Sequence, residues 1–231
     1  MTTITGPRPA YTPSPWLAPP RLHEDDAAQT HAGVTYDSED YAMLNRPIET
    51  DRHARRIERY LAPRRSQRLL EIGSGRGWLA QRMQERFPST WAVDVNPRSI
   101  AHGVAANMAV MDAVALRYAD SQFDHVWSFH AIEHIADAES AIREMYRVLV
   151  PGGRALLVYP AEPIRGLYAM PGAWIGFGNP FLARQLHLHR FTPARIRTIA
   201  ERCGFRHVAS ALDLLLTPQF ISVLERPRLG T

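Results

Sequence analysis

The stretch SFHAIEHI (128–135) sets His130, Glu133 and His134 within five residues. H-x-x-E-H is the order in which some zinc peptidases place two metal ligands and a general base. On a continuous helix the two imidazoles would share a face. That reading requires 130–134 to lie mid-helix, with a distant carboxylate as third ligand. The neighbouring residues instead favour a strand ending near 129 and a separate helix capped by Asp137. The segment is therefore expected to serve another role, and no resident metal is expected.

A second chemical grouping is EIGSGRG (71–77), in which Glu71 precedes Gly73, Ser74, Gly75 and Gly77. Glycines at a strand-to-helix turn let a ligand approach the backbone, and the free N–H groups beyond favour an anion. The spacing is G-x-G-x-G rather than the G-x-G-x-x-G of dinucleotide folds. Asp94 stands 21 residues after Gly73, at the end of the next apolar run. An acid there can accept both hydroxyls of a ribose. Asp112 ends a third run, where a carboxylate can accept from the exocyclic amine of an adenine. The ligand implied is an adenosine carrying an anion near the glycine turn. All 27 basic residues are arginine, so neither a Schiff-base lysine nor a P-loop lysine is available.

These residues need strands to aim them. Apolar runs predict strands at 68–73, 91–95, 109–113, 123–129 and 154–160, and later at 206–215 and 219–226. Helical spacing predicts helices over 49–62, 76–87, 97–108, 137–150 and 192–205. Pro97 and Pro193 suit first helical positions, Asp137 and Thr192 suit N-caps, and Gly204 suits a C-terminal stop. The alternation argues for an α/β fold with a mostly parallel sheet and helices on both faces.

The chain has 231 residues, 45% of them hydrophobic, with one cysteine, Cys203, and hence no internal disulfide. No apolar run reaches 18 residues, so no membrane span is expected. The N-terminus lacks the basic start and apolar core of a signal peptide, which points to the cytoplasm. Six prolines among the first 20 residues suit a flexible tail, and 1–47 is expected to act partly as a lid through Tyr36 and Tyr41. Residues 48–231 then form one domain. Its insert at about 161–190, with Leu167, Tyr168, Met170, Trp174, Phe177 and Phe181, is expected to line a substrate pocket. Net charge is +4, and the arginine-rich stretch 51–68 reads as a solvated basic face.

Four stretches carry a resemblance: LLEIGSGRGWLA, AVDVNP, MDAVALRYADSQFDHVWSFHAIEHI and RVLVPGGRALLVYP. In this order and spacing, over about 66–160, they resemble the motifs of class I S-adenosylmethionine-dependent methyltransferases. The resemblance implies a Rossmann-like seven-stranded sheet in the order 3-2-1-4-5-7-6, with the last strand antiparallel. It implies S-adenosylmethionine as cofactor. Gly73, Ser74, Gly75 and Gly77 would pass its methionine part, and Glu71 would face its amino group. Asp94 would take the ribose hydroxyls, with Val95 beside the adenine. Asp112 and Ala113 would contact the adenine, and Phe129 and His130 would flank the methyl sulfonium. Arg76 departs from the small or polar residue common at its place.

Methyl transfer from a sulfonium needs a general base only when the acceptor must lose a proton. His189 and His130 are the candidate bases, with His187 two residues before His189. The apolar insert favours a small aromatic or apolar acceptor, and a nucleic-acid partner is not favoured. Two alternatives stay open. One is a peptide, protein or RNA acceptor. The other is a metal-assisted quinone-type O-methyltransferase, since some quinone-pathway enzymes carry E-x-x-E-H where this chain has His130, Glu133 and His134. An oligomeric state is not implied.

Overall fold

The short apolar runs and amphipathic stretches resolve into one seven-stranded sheet flanked by helices, in a computed structural model that describes residues 50–162, 187–215 and 218–228 and the backbone of 30–31 and 34–35. The expectations for Tyr36, Tyr41 and the aromatic residues of the insert lie outside the described residues.

Thr30–His31 (β1) and Val34–Thr35 (β2) form a small antiparallel ribbon. Thr50–Leu61 (α1) follows. The large sheet contains Leu69–Ile72 (β3), Thr90–Asp94 (β4), Met108–Val110 (β5), Phe123–Phe129 (β6), Leu149–Pro160 (β7), Arg206–Asp213 (β8) and Gln219–Glu225 (β9). Trp78–Gln84 (α2), Pro97–Ala101 (α3), Ala138–Val148 (α4) and Pro193–Arg202 (α5) are the remaining helices used below. The sheet order is β5-β4-β3-β6-β7-β9-β8, which in chain order within the sheet is 3-2-1-4-5-7-6. β9 runs antiparallel to both its neighbours, and the β3, β4, β5, β6 and β7 pairs are parallel. The expected order and the antiparallel last strand are both present.

Side-chain alternation splits the core between the two faces of the sheet. Leu70, Ile72, Val126 and Leu157 join Ile142 and Met145 of α4 and Ile196 of α5 on one face. Leu69, Trp127, Leu156 and Val158 join Ile57 and Leu61 of α1 and Leu79 and Met83 of α2 on the other.

Some boundaries differ from the sequence reading. α3 stops at Ala101 rather than continuing to 108, because the chain turns at His102 and Gly103, whose N–H groups donate to Arg98 and Ile100. Gly103 also packs against the Met108 sulfur, where a Cβ would stand only 2.7 Å away. β5 ends at Val110, so Asp112 lies two residues beyond the strand instead of ending it. α2 starts at Trp78 because Gly77, at φ 76°, is left-handed. β7 begins at Leu149, ahead of the expected 154. There the chain bends through Gly152 at φ 84° and exchanges backbone hydrogen bonds with Arg226.

Candidate active site

Parallel pairing brings the C-terminal ends of β3, β4, β5 and β6 to one edge of the sheet, where open α/β sheets hold their ligands. The loop leaving β3 is left-handed at Gly73, Gly75 and Gly77, with φ of 75°, 53° and 76°. L-residues with a Cβ seldom adopt this region. The N–H groups of Gly73 and Ser74 donate to the Val93 carbonyl at 2.9 and 3.0 Å, which clamps the loop to β4. A Cβ on Gly73 would collide with the Ala131 Cβ, so the loop also presses on the turn after β6. Ser74 is buried.

Asp94 ends β4 as expected, and its carboxylate organises the loop. One oxygen accepts from Gly75 N–H at 2.6 Å and the other from Asn96 N–H at 2.9 Å. Burial raises its pKa, partly offset by the N–H groups of Asn96, Gly75 and Val95. Asn96 in turn caps α3 by accepting from Arg98 and Ser99. Val95 is half-buried between them. Asp112 is exposed and accepts from Val114 N–H at 3.1 Å, which shapes a turn, and Ala113 beside it is buried.

Glu71 projects from β3 toward the α1/α2 face and is 4% exposed. Its Oε2 has no hydrogen-bond partner among the described residues. Burial pushes its carboxyl up to about 8, with the Trp127 indole and the Ala80 N–H offsetting part of the effect. An orphaned buried carboxyl oxygen beside a glycine loop fits a ligand carrying an ammonium group. The shift has a consequence for stability. Between the ordinary value of 4.5 and about 8, the folded chain keeps a proton that the unfolded chain has lost. Stability contributed by this group therefore falls as pH rises through that window. In Glu71→Gln the loss of stability from pH 5 to pH 8, read from urea midpoints, should be shallower than in the wild type. Equal slopes would contradict the assignment.

Phe129 ends β6 and His130 follows it. Phe129 is buried, and His130 is left-handed at φ 52° with its N–H donating to the Val158 carbonyl at 2.9 Å. His53 of α1 packs here, its ring centroid 4.5 Å from Phe129 and 6.2 Å from His130. Burial, then His130, Arg56 and Arg52, lower its pKa to about 3, so it is neutral at pH 7. The sequence reading did not single out His53. Its signal was the i, i+4 spacing to Ile57 on the apolar side of α1.

The H-x-x-E-H residues do not share an α-helix. Only Ile132–His134 forms a single 3-10 turn, and His130 lies outside it. The structure therefore does not supply the mid-helix geometry that a zinc peptidase needs. Glu133 is 1% exposed, and its Oε1 lies 3.5 Å from His130 Nδ1. Burial opposes its ionisation, but His130, His134 and His187 together hold its pKa at about 2. His187 hydrogen-bonds to Glu162, and its ring centroid lies 4.9 Å from that of His134. His189 engages different partners. Its Nε2 stands 3.0 Å from both the Ile135 and Ala136 carbonyls, and its N–H donates to the Glu133 carbonyl at 3.1 Å. Of the two candidate bases, His130 thus stands beside Phe129, whereas His189 ties its segment to the turn after β6. Glu162 and the approach of His187 to Glu133 were not foreseen.

Comparison with known proteins agrees with this geometry. The family described as "Methyltransferase domain" matches residues 46–210. The demethylmenaquinone methyltransferase of Thermus thermophilus is 31% identical over 143 residues, covering 56% of this chain and 65% of that protein. The malonyl-[acyl-carrier protein] O-methyltransferase of Erwinia billingiae is 27% identical over 167 residues, covering 68% of this chain and 66% of that protein. The chain thus spans just under two thirds of the length of these relatives. Among solved structures, the phosphoethanolamine N-methyltransferase 2 of Haemonchus contortus in complex with S-adenosyl-L-methionine superposes with a TM-score of 0.62 at 15% identity, covering 84% of this chain and 58% of that one. Family, sheet order and the left-handed glycine loop coincide, and the chain belongs to the class I S-adenosylmethionine-dependent methyltransferases.

Proposed function

We propose that this chain moves a methyl group from S-adenosylmethionine to a small-molecule acceptor, with the methyl passing in line from sulfur to acceptor beside Phe129 and His130. The observation that carries the reading is the convergence, at one sheet edge, of the orphaned Glu71 oxygen, the glycine loop, the Asp94 carboxylate and His130.

Bound there, the cofactor supplies a methyl group already activated by positive sulfur. The residues then position and discriminate. Glu71, which keeps its proton below about pH 8 in the ligand-free chain, gives it up as the ammonium group binds, and the glycine loop admits the methionine chain. Asp94, already fixed by two N–H donors, accepts the ribose hydroxyls, with Val95, Asp112 and Ala113 around the adenine. Fixing donor and acceptor at contact distance is worth up to about 7–11 kcal/mol of barrier. For an acceptor that must lose a proton, His130 takes it, and the Glu133 carboxylate 3.5 Å away stabilises the imidazolium. His189 holds the acceptor segment in place through its backbone contacts. The insert 161–190 is assigned to acceptor recognition from its apolar and aromatic make-up. Glu162 and His187, described on either side of it, meet through a hydrogen bond, and the His187 ring lies 4.9 Å from that of His134 in the turn after β6. An aromatic or apolar acceptor is supported by the quinone named for one relative and by the apolar make-up of this insert.

A carrier-bound acyl acceptor is a second reading. One relative is named for a malonyl-[acyl-carrier protein], and Arg55, Arg59, Arg64, Arg65 and Arg68 are exposed along and after α1. Steep loss of turnover with added salt would mark such a charged partner. Among the described residues no helix is long and apolar enough to cross a membrane.

The test is release of S-adenosylhomocysteine with a panel of hydroxyarenes, quinols and carboxylates. With a hydroxyl acceptor, His130→Asn should lower kcat by about 100-fold or more, the scale of a lost general base. Asparagine tolerates the left-handed backbone, so the loop should keep its shape. Its affinity for S-adenosylhomocysteine should stay within a few-fold of the wild type. Unchanged kcat would remove His130 as the base, and no turnover with any acceptor would overturn the proposal.

A further inference from the structure

We propose that Glu133, His134 and His187 form a binding site for one divalent first-row transition-metal ion, with Glu162 holding His187 in its ligating form. Three donor atoms, one from each residue, lie within 4.8 Å of one another. A tetrahedral ion with bonds of about 2.0–2.1 Å needs its ligands about 3.4 Å apart, so modest side-chain rotation closes the set. The donors come from two separate places, the 3-10 turn after β6 and the segment before α5. The bond from His189 N–H to the Glu133 carbonyl holds these segments together.

Glu133 shows why this cluster favours a cation. Its side chain is 2% exposed, and neither carboxylate oxygen has a hydrogen-bond partner among the described residues. His130 Nδ1, at 3.5 Å, stands beyond a good hydrogen bond. A buried carboxylate so placed is costly unless it is paired or coordinates a metal. His187 shows the complementary feature. Its Nδ1 meets the carboxylate of Glu162, itself 4% exposed, which leaves the Nε2 lone pair for a ligand. A carboxylate behind a histidine in this way is the usual outer partner of a metal-bound imidazole.

Two imidazoles and one carboxylate select zinc, cobalt(II) or iron(II) over calcium and magnesium, which prefer oxygen alone. Three protein ligands also leave a coordination position open. His130, the first residue of the H-x-x-E-H pattern, is not a member of the set, and His187 takes the place that the spacing would have given it. The site shares Glu133 with the His130 pair of the proposed function, and the metal titrations below read it without reference to methyl transfer.

The experiment uses the untagged full chain, stripped with chelator, dialysed, and titrated with zinc by calorimetry and with cobalt(II) by visible absorption. One equivalent should bind, with cobalt bands of a four- or five-coordinate nitrogen–oxygen site. His187→Gln and Glu133→Gln should each weaken zinc by at least about 100-fold, and Glu162→Gln by about 10–100-fold. Exposed His102→Ala should bind as the wild type does. Thermal melts in chelator show which variants remain folded. Substoichiometric zinc in the wild type would overturn the site without reference to any variant. So would a folded His187→Gln variant that binds within three-fold of the wild type, which would leave a hydrogen-bonded histidine–carboxylate cluster only.

Discussion

Asp94→Ala is expected to weaken binding of S-adenosylhomocysteine by at least about 100-fold, measured by calorimetry. Two contributions add. The ribose loses two hydrogen bonds to a charged acceptor, each worth about 1.5–3 kcal/mol. The Gly75 and Asn96 N–H groups lose their shared carboxylate, so the glycine loop is no longer fixed before the ligand arrives. The two ribose bonds alone give about 3–6 kcal/mol, and every 1.4 kcal/mol is about ten-fold in affinity. Asp94→Asn separates the parts. Its one oxygen can still meet one N–H, but its amide group opposes the other. Binding in this variant should be weakened nearly as much, with a smaller loss of thermal stability than in Asp94→Ala. Unchanged affinity in Asp94→Ala would remove the cofactor assignment.

Gly73→Val should be the most damaging single change in the loop. The residue is at φ 75°, and its Cβ would collide with the Ala131 Cβ. Left-handed strain costs about 1–2 kcal/mol and overpacking about 1–3 kcal/mol, so the loss is about 2–5 kcal/mol. For a domain of this size that lowers Tm by about 4–20 °C. Cofactor binding should vanish along with it, because the backbone clamp to Val93 passes through this residue. The double variant Gly73→Ala with Ala131→Gly should recover part of the stability lost in Gly73→Ala alone. Recovery would show that the side-chain clash is real, and the remaining deficit would measure the backbone strain. A Gly73→Val variant with wild-type Tm and affinity would contradict the packing described here.

These two positions were legible in the sequence because their chemistry is local. Glu71, the glycines and Asp94 each follow an apolar run, and parallel pairing brings those run ends together. Strands β3, β4 and β6 were readable for the same reason, each being a nearly continuous buried stretch. The strand order was not in the periodicity; it came with the family resemblance. The length of α3 was misread because helical spacing continues past Gly103, while tertiary packing uses Met108 in a strand instead. His53 and Glu162 were missed because each matters only through a contact with a residue far along the chain. His187 and His189 looked equivalent at i, i+2, yet one meets Glu162 and the other two backbone carbonyls. Spacing alone could not separate them.

The H-x-x-E-H pattern changes meaning in the same way. Its residues sit on a strand tip and a single 3-10 turn. His130 thereby stands between the His53 ring and Glu133, while Glu133 and His134 gather with His187.

The most direct measurement of the central claim is a crystal structure of the chain with S-adenosylhomocysteine bound. The ribose hydroxyls should lie on the Asp94 carboxylate, the ammonium group on Glu71, and the sulfur beside Phe129 and His130. A ligand seated away from the β3 and β4 strand ends, or a sulfur pointing away from His130, would contradict the account.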